Sequence, residues 1–276
     1  MHLATYNING INGRLQQLLD WLAHAKPNVV CLQELKADQA KFPHKALETA
    51  GYGAVWSGQR AYNGVAILAR DTQPLVTRRA LPGDHKDTES RYIEAAIEGV
   101  LVACLYAPNG NPQPGPRFDY KLRWMERLIA HASELFATGL PVVLAGDYNV
   151  APTDLDIYSM TSSWKNDALV QPAPRDLYAR LVQQGWCDAL RSLHPDQRIY
   201  TFWDYLRNAW QRDAGLRLDH VLLSKSLAKR LQKAGVEREQ RGLPHSSDHA
   251  PVSVELTSNA TPPPKRRRRA PNRSAS

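Results

Sequence analysis

The chain has 276 residues, of which 43% are hydrophobic and 22% charged, with 16 glycines, 19 prolines and three cysteines. That composition belongs to a globular protein with a sizeable core and excludes a disordered, collagen-like or disulfide-stapled chain. Formal net charge is +8, but Lys265, Arg266, Arg267, Arg268, Arg269 and Arg273 all follow Leu256 with no acid among them, which leaves the body at only +2.

In chain order, apolar runs rich in Val, Leu, Ile and Ala predict strands at Leu3–Ile8, Val29–Leu32, Val65–Ala69, Ile93–Ile97, Leu101–Tyr106, Val142–Ala145, Leu218–Leu223 and Val252–Leu256. Several are apolar throughout, as strands covered on both faces are. Between them, Leu15, Leu18, Leu19 and Leu22 recur at helical spacing, as do Phe118, Leu122, Met125, Ile129 and, less regularly, Leu135. Asp176–Gln184 and Ser226–Ala234 read as shorter helices, and Asn111–Pro116 as a rigid surface loop too short to link domains. The alternation predicts one mixed α/β domain with layered sheets over residues 1–256, followed by a disordered basic tail over 257–276. No apolar run approaches the roughly 20 residues of a membrane-spanning helix, and Met1–Asn7 lacks the basic-then-apolar pattern of a secretory signal. Cys31, Cys104 and Cys187 are odd in number and widely spaced, and two sit within apolar strand-like runs, so they read as reduced core residues of a cytosolic protein.

The ends of the predicted strands carry the chemistry. They run into Asn7-Ile-Asn-Gly, Gln33-Glu34, Tyr106-Ala-Pro-Asn and Asp147-Tyr-Asn149; Asp219 lies within another, and Ser247-Asp248-His249 precedes the last. Strand ends are where loops converge and ligands bind in α/β folds. Alone, Glu34 reads more often as a loop carboxylate capping a backbone amide, Asp147 after Gly146 and Asn7-Ile-Asn-Gly equally well as turns, and His249 as a core histidine. Six together point to one site. Carboxylates and asparagines without cysteine suit a hard divalent ion such as Mg²⁺, and a histidine beside them suits acid–base work or phosphate binding. Metal, water-activating carboxylate and neutral donors together describe phosphodiester hydrolysis. Phosphate-binding glycine loops and a Gly-x-Ser-x-Gly elbow are absent, which disfavours kinase, dehydrogenase and serine-hydrolase readings.

In sequence order, Asn7-Ile-Asn-Gly, Leu32-Gln-Glu34, Tyr106-Ala-Pro-Asn, Gly146-Asp-Tyr-Asn149, Gly215-Leu-Arg-Leu-Asp219 and Ser247-Asp-His-Ala-Pro-Val resemble exonuclease III and its apurinic/apyrimidinic (AP) endonuclease relatives, from Met1 to about Leu256. Ala151–Tyr158 and Tyr200–Tyr205 resemble the bacterial branch. The resemblance implies a four-layered α/β sandwich, with two mixed β-sheets packed face to face and helices outside. It implies Mg²⁺-dependent cleavage of duplex DNA 5′ to abasic sites and 3′-to-5′ exonuclease or 3′-end cleaning, with Mn²⁺ as a substitute. A cytoplasmic, nucleoid-associated monomer goes with it.

Residue by residue, it implies that Glu34 binds metal with Asn7 beside it, and that Asp147 orients or deprotonates the attacking water. Asn149 and Tyr106 would hold the scissile phosphate. His249 would contact it, oriented by Asp219, and Asp248 would bind metal or assist the leaving oxygen. Asp147, Asn149 and His249 complete the implied metal surroundings. Phe202, Trp203, Leu216 and Leu218 would form a dry pocket for the flipped-out, baseless sugar. Arg117 or Lys121 would stand in for an arginine that some relatives press into DNA. The same fold hosts phosphatases and phospholipid phosphodiesterases, the alternative reading. Tyr106 favours the AP-endonuclease branch, because relatives of the pancreatic-type DNases place a histidine there. Lys265, Arg266, Arg267, Arg268 and Arg269 offer sequence-independent attraction to phosphates.

Overall fold

The computed structural model describes residues 1–159 and 164–257, so the basic run Lys265–Arg269 lies outside the described residues. Its first strands are β1 (His2–Asn7), β2 (Val29–Gln33), β3 (Tyr52–Ser57), β4 (Val65–Arg70), β5 (Leu75–Arg78) and β6 (Tyr92–Ile97). The rest are β7 (Val100–Tyr106), β8 (Val142–Asp147), β9 (Cys187–Asp188), β10 (Asp219–Leu223), β11 (Leu231–Val236) and β12 (Val252–Leu256). They form two six-stranded sheets, ordered β11-β12-β1-β2-β4-β3 and β5-β6-β7-β8-β10-β9. Both are mixed: β1 runs parallel to β2 and β7 to β8, while the other pairings are antiparallel.

The two-residue period of a strand assigns the layers. Leu3, Val29, Cys31, Val65 and Ile67 of the first sheet pack against Ile93, Val102, Cys104, Val143, Ala145 and Val221 of the second, forming the inter-sheet core. Their neighbours face outward. Ala4, Tyr6, Val30, Leu32, Ala66 and Leu68 meet Leu18, Trp21 and Leu22 of α1 (Leu15–Ala25) and Leu47 of α2 (His44–Thr49). On the far side Ala103, Leu105, Val142 and Leu144 meet Trp124, Met125 and Leu128 of α3 (Pro116–Ala137), with Leu177 and Leu181 of α4 (Pro172–Gln183). The four-layered sandwich is therefore present. Short helices α5 (Ala189–Leu193), α6 (Lys225–Ala228) and α7 (Glu239–Gly242) join later segments. The expected helix over Ser226–Ala234 is replaced by α6 and the edge strand β11, whose register shifts between Leu231 and Lys233. Antiparallel pairing with β12 overrides the local helical pattern there. Among the described residues no helix is long and apolar enough to cross a membrane.

Candidate active site

The inner-face stripes that build the inter-sheet core continue into the site. Leu3 and Asn7 share the inner parity of β1, as do Cys104 and Tyr106 in β7, Ala145 and Asp147 in β8, and Val221 and Asp219 in β10. Register then brings the polar ends together: Tyr106 pairs with Asp147 across β7–β8, and Asp147 with Asp219 across β8–β10. A Cβ at Gly146 would overlap the Leu105 carbonyl, so only glycine allows β8 to run this close to β7 just before Asp147. Glu34 (φ 51°), Asn149 (φ 51°) and Asn9 (φ 49°) all take the left-handed backbone that L-residues rarely adopt, at the strand ends where the chain turns into the site.

The Asn7 amide is the central bridge. Its Nδ2 donates to Glu34 Oε1 and Asp147 Oδ2, each at 3.0 Å. Glu34 Oε1 also accepts from the Tyr106 hydroxyl at 2.8 Å, and Oε2 pairs with Lys36 at 2.9 Å. Asp147 Oδ1 accepts from the Asn149 backbone N–H at 2.8 Å, while Asn149 Nδ2 donates to the Ala107 carbonyl at 2.8 Å. His249 Nδ1 lies 2.7 Å from Asp219 Oδ2, and its Nε2 lies 3.9 Å from Asp147 Oδ2. The Thr201 hydroxyl accepts from the backbone N–H of Leu218 and Asp219 at 3.0 and 3.1 Å, fixing the start of β10. Asp248 stands farther out, held at 2.8 Å by the side chain of Asn9, a contact the sequence reading missed.

Burial and charge set the protonation states. Burial, with Asp219 and Glu34 adding repulsion, raises the Asp147 pKa to about 7 against the opposing pull of His249 and the Asn149 N–H. Burial disfavours charge on His249, but Asp219, Asp147 and Asp248 outweigh it and raise its pKa to about 10. Burial would raise the Glu34 pKa, yet Lys36, Asn7 and His249 hold it below the usual carboxylate value. Burial followed by Glu34 and Asp147 pushes the Tyr106 phenol well above its normal range, so its hydroxyl stays a donor. A carboxylate-rich pocket this congested fits a cation. Single ligand atoms of Asp147, Asp219 and His249 lie within 4.8 Å of one another, and among the described residues Asp219 Oδ1 is buried without a hydrogen-bond partner. The two carboxylates offer hard oxygen donors with no thiolate, which suits a divalent ion such as Mg²⁺, while His249, held protonated, brings a positive charge and not a ligand lone pair.

The apolar residues divide. The Phe202 ring lies 5.0 Å from the His249 ring, and its backbone exchanges 2.9 Å hydrogen bonds with Leu216. Trp203 corrects the expectation: its neighbour in an extended segment faces the site, so Trp203 faces the core, 0% exposed, with its indole N–H 3.0 Å from Asp213. Leu216 and Leu218, 0% and 2% exposed, back the Phe202 ring rather than presenting contact surface. Lys121 corrects another expectation. It is fully buried on the inner stripe of α3 with Trp124, Met125 and Leu128, and its ammonium points into the protein. That i, i+3, i+4 spacing was the available signal. Burial pushes its pKa down to about 7, opposed by Asp147 and Asp167, and three carbonyl acceptors at 2.6–3.1 Å favour the ammonium form. Arg117 is exposed, and with Arg60, Tyr62, Arg91, Asn109 and Tyr120 it lines a groove of about 470 Å³ that opens beside Tyr106.

A two-sheet α/β sandwich whose inner strand ends converge on a carboxylate, asparagine, tyrosine and histidine cluster defines the class: a divalent-metal-dependent phosphoester hydrolase. The sequence profile of the endonuclease/exonuclease/phosphatase family matches residues 4–249, and the chain belongs to that family. It is 32% identical over 267 residues to exodeoxyribonuclease III of Haemophilus influenzae, an alignment covering 93% of this chain and 100% of that protein. The fold matches a 3′ phosphatase from Neisseria bound to product DNA hairpin with TM-score 0.89 and 38% identity, covering 94% and 100% of the two chains. An AP endonuclease from Archaeoglobus fulgidus gives TM-score 0.89 at 35% identity, again covering 94% and 100%.

Proposed function

We propose that this protein is a DNA-repair nuclease that hydrolyses the duplex DNA backbone 5′ to abasic sites and trims or cleans 3′ ends, with Mg²⁺ as the working cation. The carrying observation is the in-register convergence of Tyr106, Asp147 and Asp219 on adjacent strands, with His249 held 2.7 Å from Asp219. The named activities of its relatives support DNA as the substrate. The cluster over residues 1–256 acts as one monomeric domain, the tail adds non-specific attraction to phosphates, and a cytoplasmic, nucleoid-associated location goes with this role.

The scissile phosphate sits between the Tyr106 hydroxyl, the Asn149 amide and His249 Nε2. The Asp219 carboxylate fixes the ring of His249 and sustains its charge, so Nε2 donates to a non-bridging phosphate oxygen. Asp147, steadied by Asn7 and the Asn149 N–H, takes the proton of the attacking water. The water oxygen bonds to phosphorus as the bond to the 3′ oxygen breaks, and that oxygen leaves as an alkoxide that takes a proton from solvent to become the 3′-hydroxyl. Glu34, with Asn7 beside it, and the buried carboxylates would hold the divalent ion, which supplies Lewis-acid neutralisation of phosphate charge when bound. Phe202, beside His249, supplies an apolar wall for a sugar without a base.

The test is an end-labelled duplex with one internal tetrahydrofuran abasic analogue, beside an undamaged control, in Mg²⁺ or EDTA. A single Mg²⁺-dependent cut immediately 5′ of the analogue is expected, and shortening from the control's 3′ end measures the exonuclease share. No cutting of either duplex with any divalent metal would refute the nuclease reading and move the assignment to the phosphatase or phospholipid branch.

A further inference from the structure

Lys121 is a fully buried charged residue that the reaction described above does not use. Its Nζ donates to the backbone carbonyls of Asn149 at 2.6 Å, Asn109 at 3.0 Å and Ala168 at 3.1 Å. An ammonium has three N–H donors, and here each has its own carbonyl. The acceptors come from three separate segments: the loop after β7, the loop after β8 and the turn containing Ala168. Burying an ammonium is costly unless its partners are well placed, and an apolar side chain of similar volume would fill the same space.

The clamped residues are the ones whose side chains meet at the site. Asn109 Nδ2 lies 3.3 Å from Asn149 Oδ1, and Asn149 Nδ2 donates to Ala107 at 2.8 Å and approaches Asp147 Oδ2 at 3.4 Å. Asn149 does this from left-handed backbone at φ 51°, a conformation that needs support from its surroundings. Gly110 shows how closely the loop wraps the lysine. A Cβ there would stand 2.7 Å from Lys121 Cδ and 3.1 Å from the Ala168 Cβ, at φ +91°.

We propose that Lys121 is a positioning residue: its ammonium ties the loops of Asn109 and Asn149 together so that the Asn149 amide meets the scissile phosphate, and it does not itself touch DNA. This rests on Asn149 contacting the phosphate, as in the function proposed above.

Lys121→Met keeps an unbranched side chain of similar length and removes all three donors. Single-turnover cleavage of the tetrahydrofuran duplex in Mg²⁺ should fall roughly 10–100-fold, the scale set by misplacing a reacting partner by about 1 Å. Duplex affinity in EDTA should change less than about threefold. The decisive reading is a double-mutant cycle with Asn149→Ala: the Lys121→Met loss should largely vanish when Asn149 is already truncated. Leu128→Ala, also buried on α3 but away from the site, controls for stability and should keep the wild-type rate per folded molecule.

Gly110→Ala is the second variant, because it displaces the lysine without removing it, and it should slow cleavage in the same way even if Lys121→Met fails to fold. A wild-type rate in Lys121→Met overturns the proposal, as does an undiminished loss in the Asn149→Ala background. If the methionine variant cannot be prepared, a wild-type rate in Gly110→Ala overturns it. A wild-type rate in Asn149→Ala alone would instead refute the role of Asn149 and carry this proposal down with it.

Discussion

Replacing Arg217 with methionine tests the network beneath the site. The guanidinium is 1% exposed and bonds Asp156 Oδ1 at 2.7 Å and both oxygens of Asp188 at 3.0 and 2.8 Å. It thereby joins the segment after Asn149 to β9 and to the start of β10, two residues from Asp219. Methionine fills much of the volume and leaves two buried carboxylates without their shared cation. Asp156 keeps Arg191 at 2.5 Å and two Thr153 donors at 2.7 and 2.8 Å, but Asp188 keeps only the Tyr178 hydroxyl at 3.0 Å and the Arg191 N–H at 3.1 Å. Removing one partner of a buried ion pair costs about 3–5 kcal/mol, which should lower the urea midpoint by about 1–2 M at pH 8.

The pH dependence gives a sharper check. Burial first and Arg217 second push the pKa of His220 down to about 4, with Asp188 opposing from 3.9 Å. A folded pKa below the unfolded value of 6.5 means that this contribution is complete above pH 6.5 and is lost as pH falls towards 4. By pH 5 the wild type should have lost about 2 kcal/mol through this group. Without Arg217, His220 is free to protonate against Asp188, so the variant should lose less and the gap between the two proteins should narrow on acidification. Urea unfolding at pH 8 and pH 5 measures both gaps. A deficit under about 1 kcal/mol at pH 8, or a gap that widens at pH 5, would refute the account.

Asp147→Asn should lower single-turnover cleavage by roughly 10³-fold while leaving duplex binding intact, since it removes the proton acceptor but keeps the shape; unchanged cleavage would sink that assignment. Phe202→Ala should cut the preference for abasic over undamaged duplex roughly 10–100-fold, read as a ratio of kcat/KM values. Trp203→Ala, by contrast, should cost about 3–5 kcal/mol in chemical unfolding with that ratio unchanged, and a changed ratio would return Trp203 to the pocket. Removing residues 258–276 should flatten the log–log salt dependence of duplex binding by up to about 0.9 for each phosphate that the tail no longer neutralises, with the rate at saturating DNA unchanged; equal slopes would show the tail to be inert.

The inner strands were legible and the edges were not. All eight predicted strands exist, and the four that the apolar runs failed to announce, β3, β5, β9 and β11, are the four sheet edges. The reason is burial. A strand covered on both faces must be apolar almost throughout, as Val65–Ala69 is, and such a run stands out in sequence. An edge strand pairs on one side only and tolerates water. β5 has no buried residue, β9 has two residues, and β11 carries Lys233 and a register shift, so their strand state comes from a partner rather than from their own pattern.

The site was legible for a related reason, and it faded at a definite depth. Asn7, Tyr106, Asp147 and Asp219 occupy inner-face positions that the two-residue period reserves for core side chains, so polarity there reads as a break in an apolar stripe. No comparable break marks the residues that hold them. Thr201, Asn9 and Arg217 act on the site through contacts spanning 17 to 239 positions of sequence, distances no local pattern encodes. Lys121 is the instructive intermediate. Its helical spacing places it on the buried stripe of α3, where a lysine is acceptable only if its charge is met, and three backbone carbonyls meet it. A buried charge in an apolar period is thus a sign of converging backbone acceptors, and the expectation of a DNA contact at Lys121 passed over it.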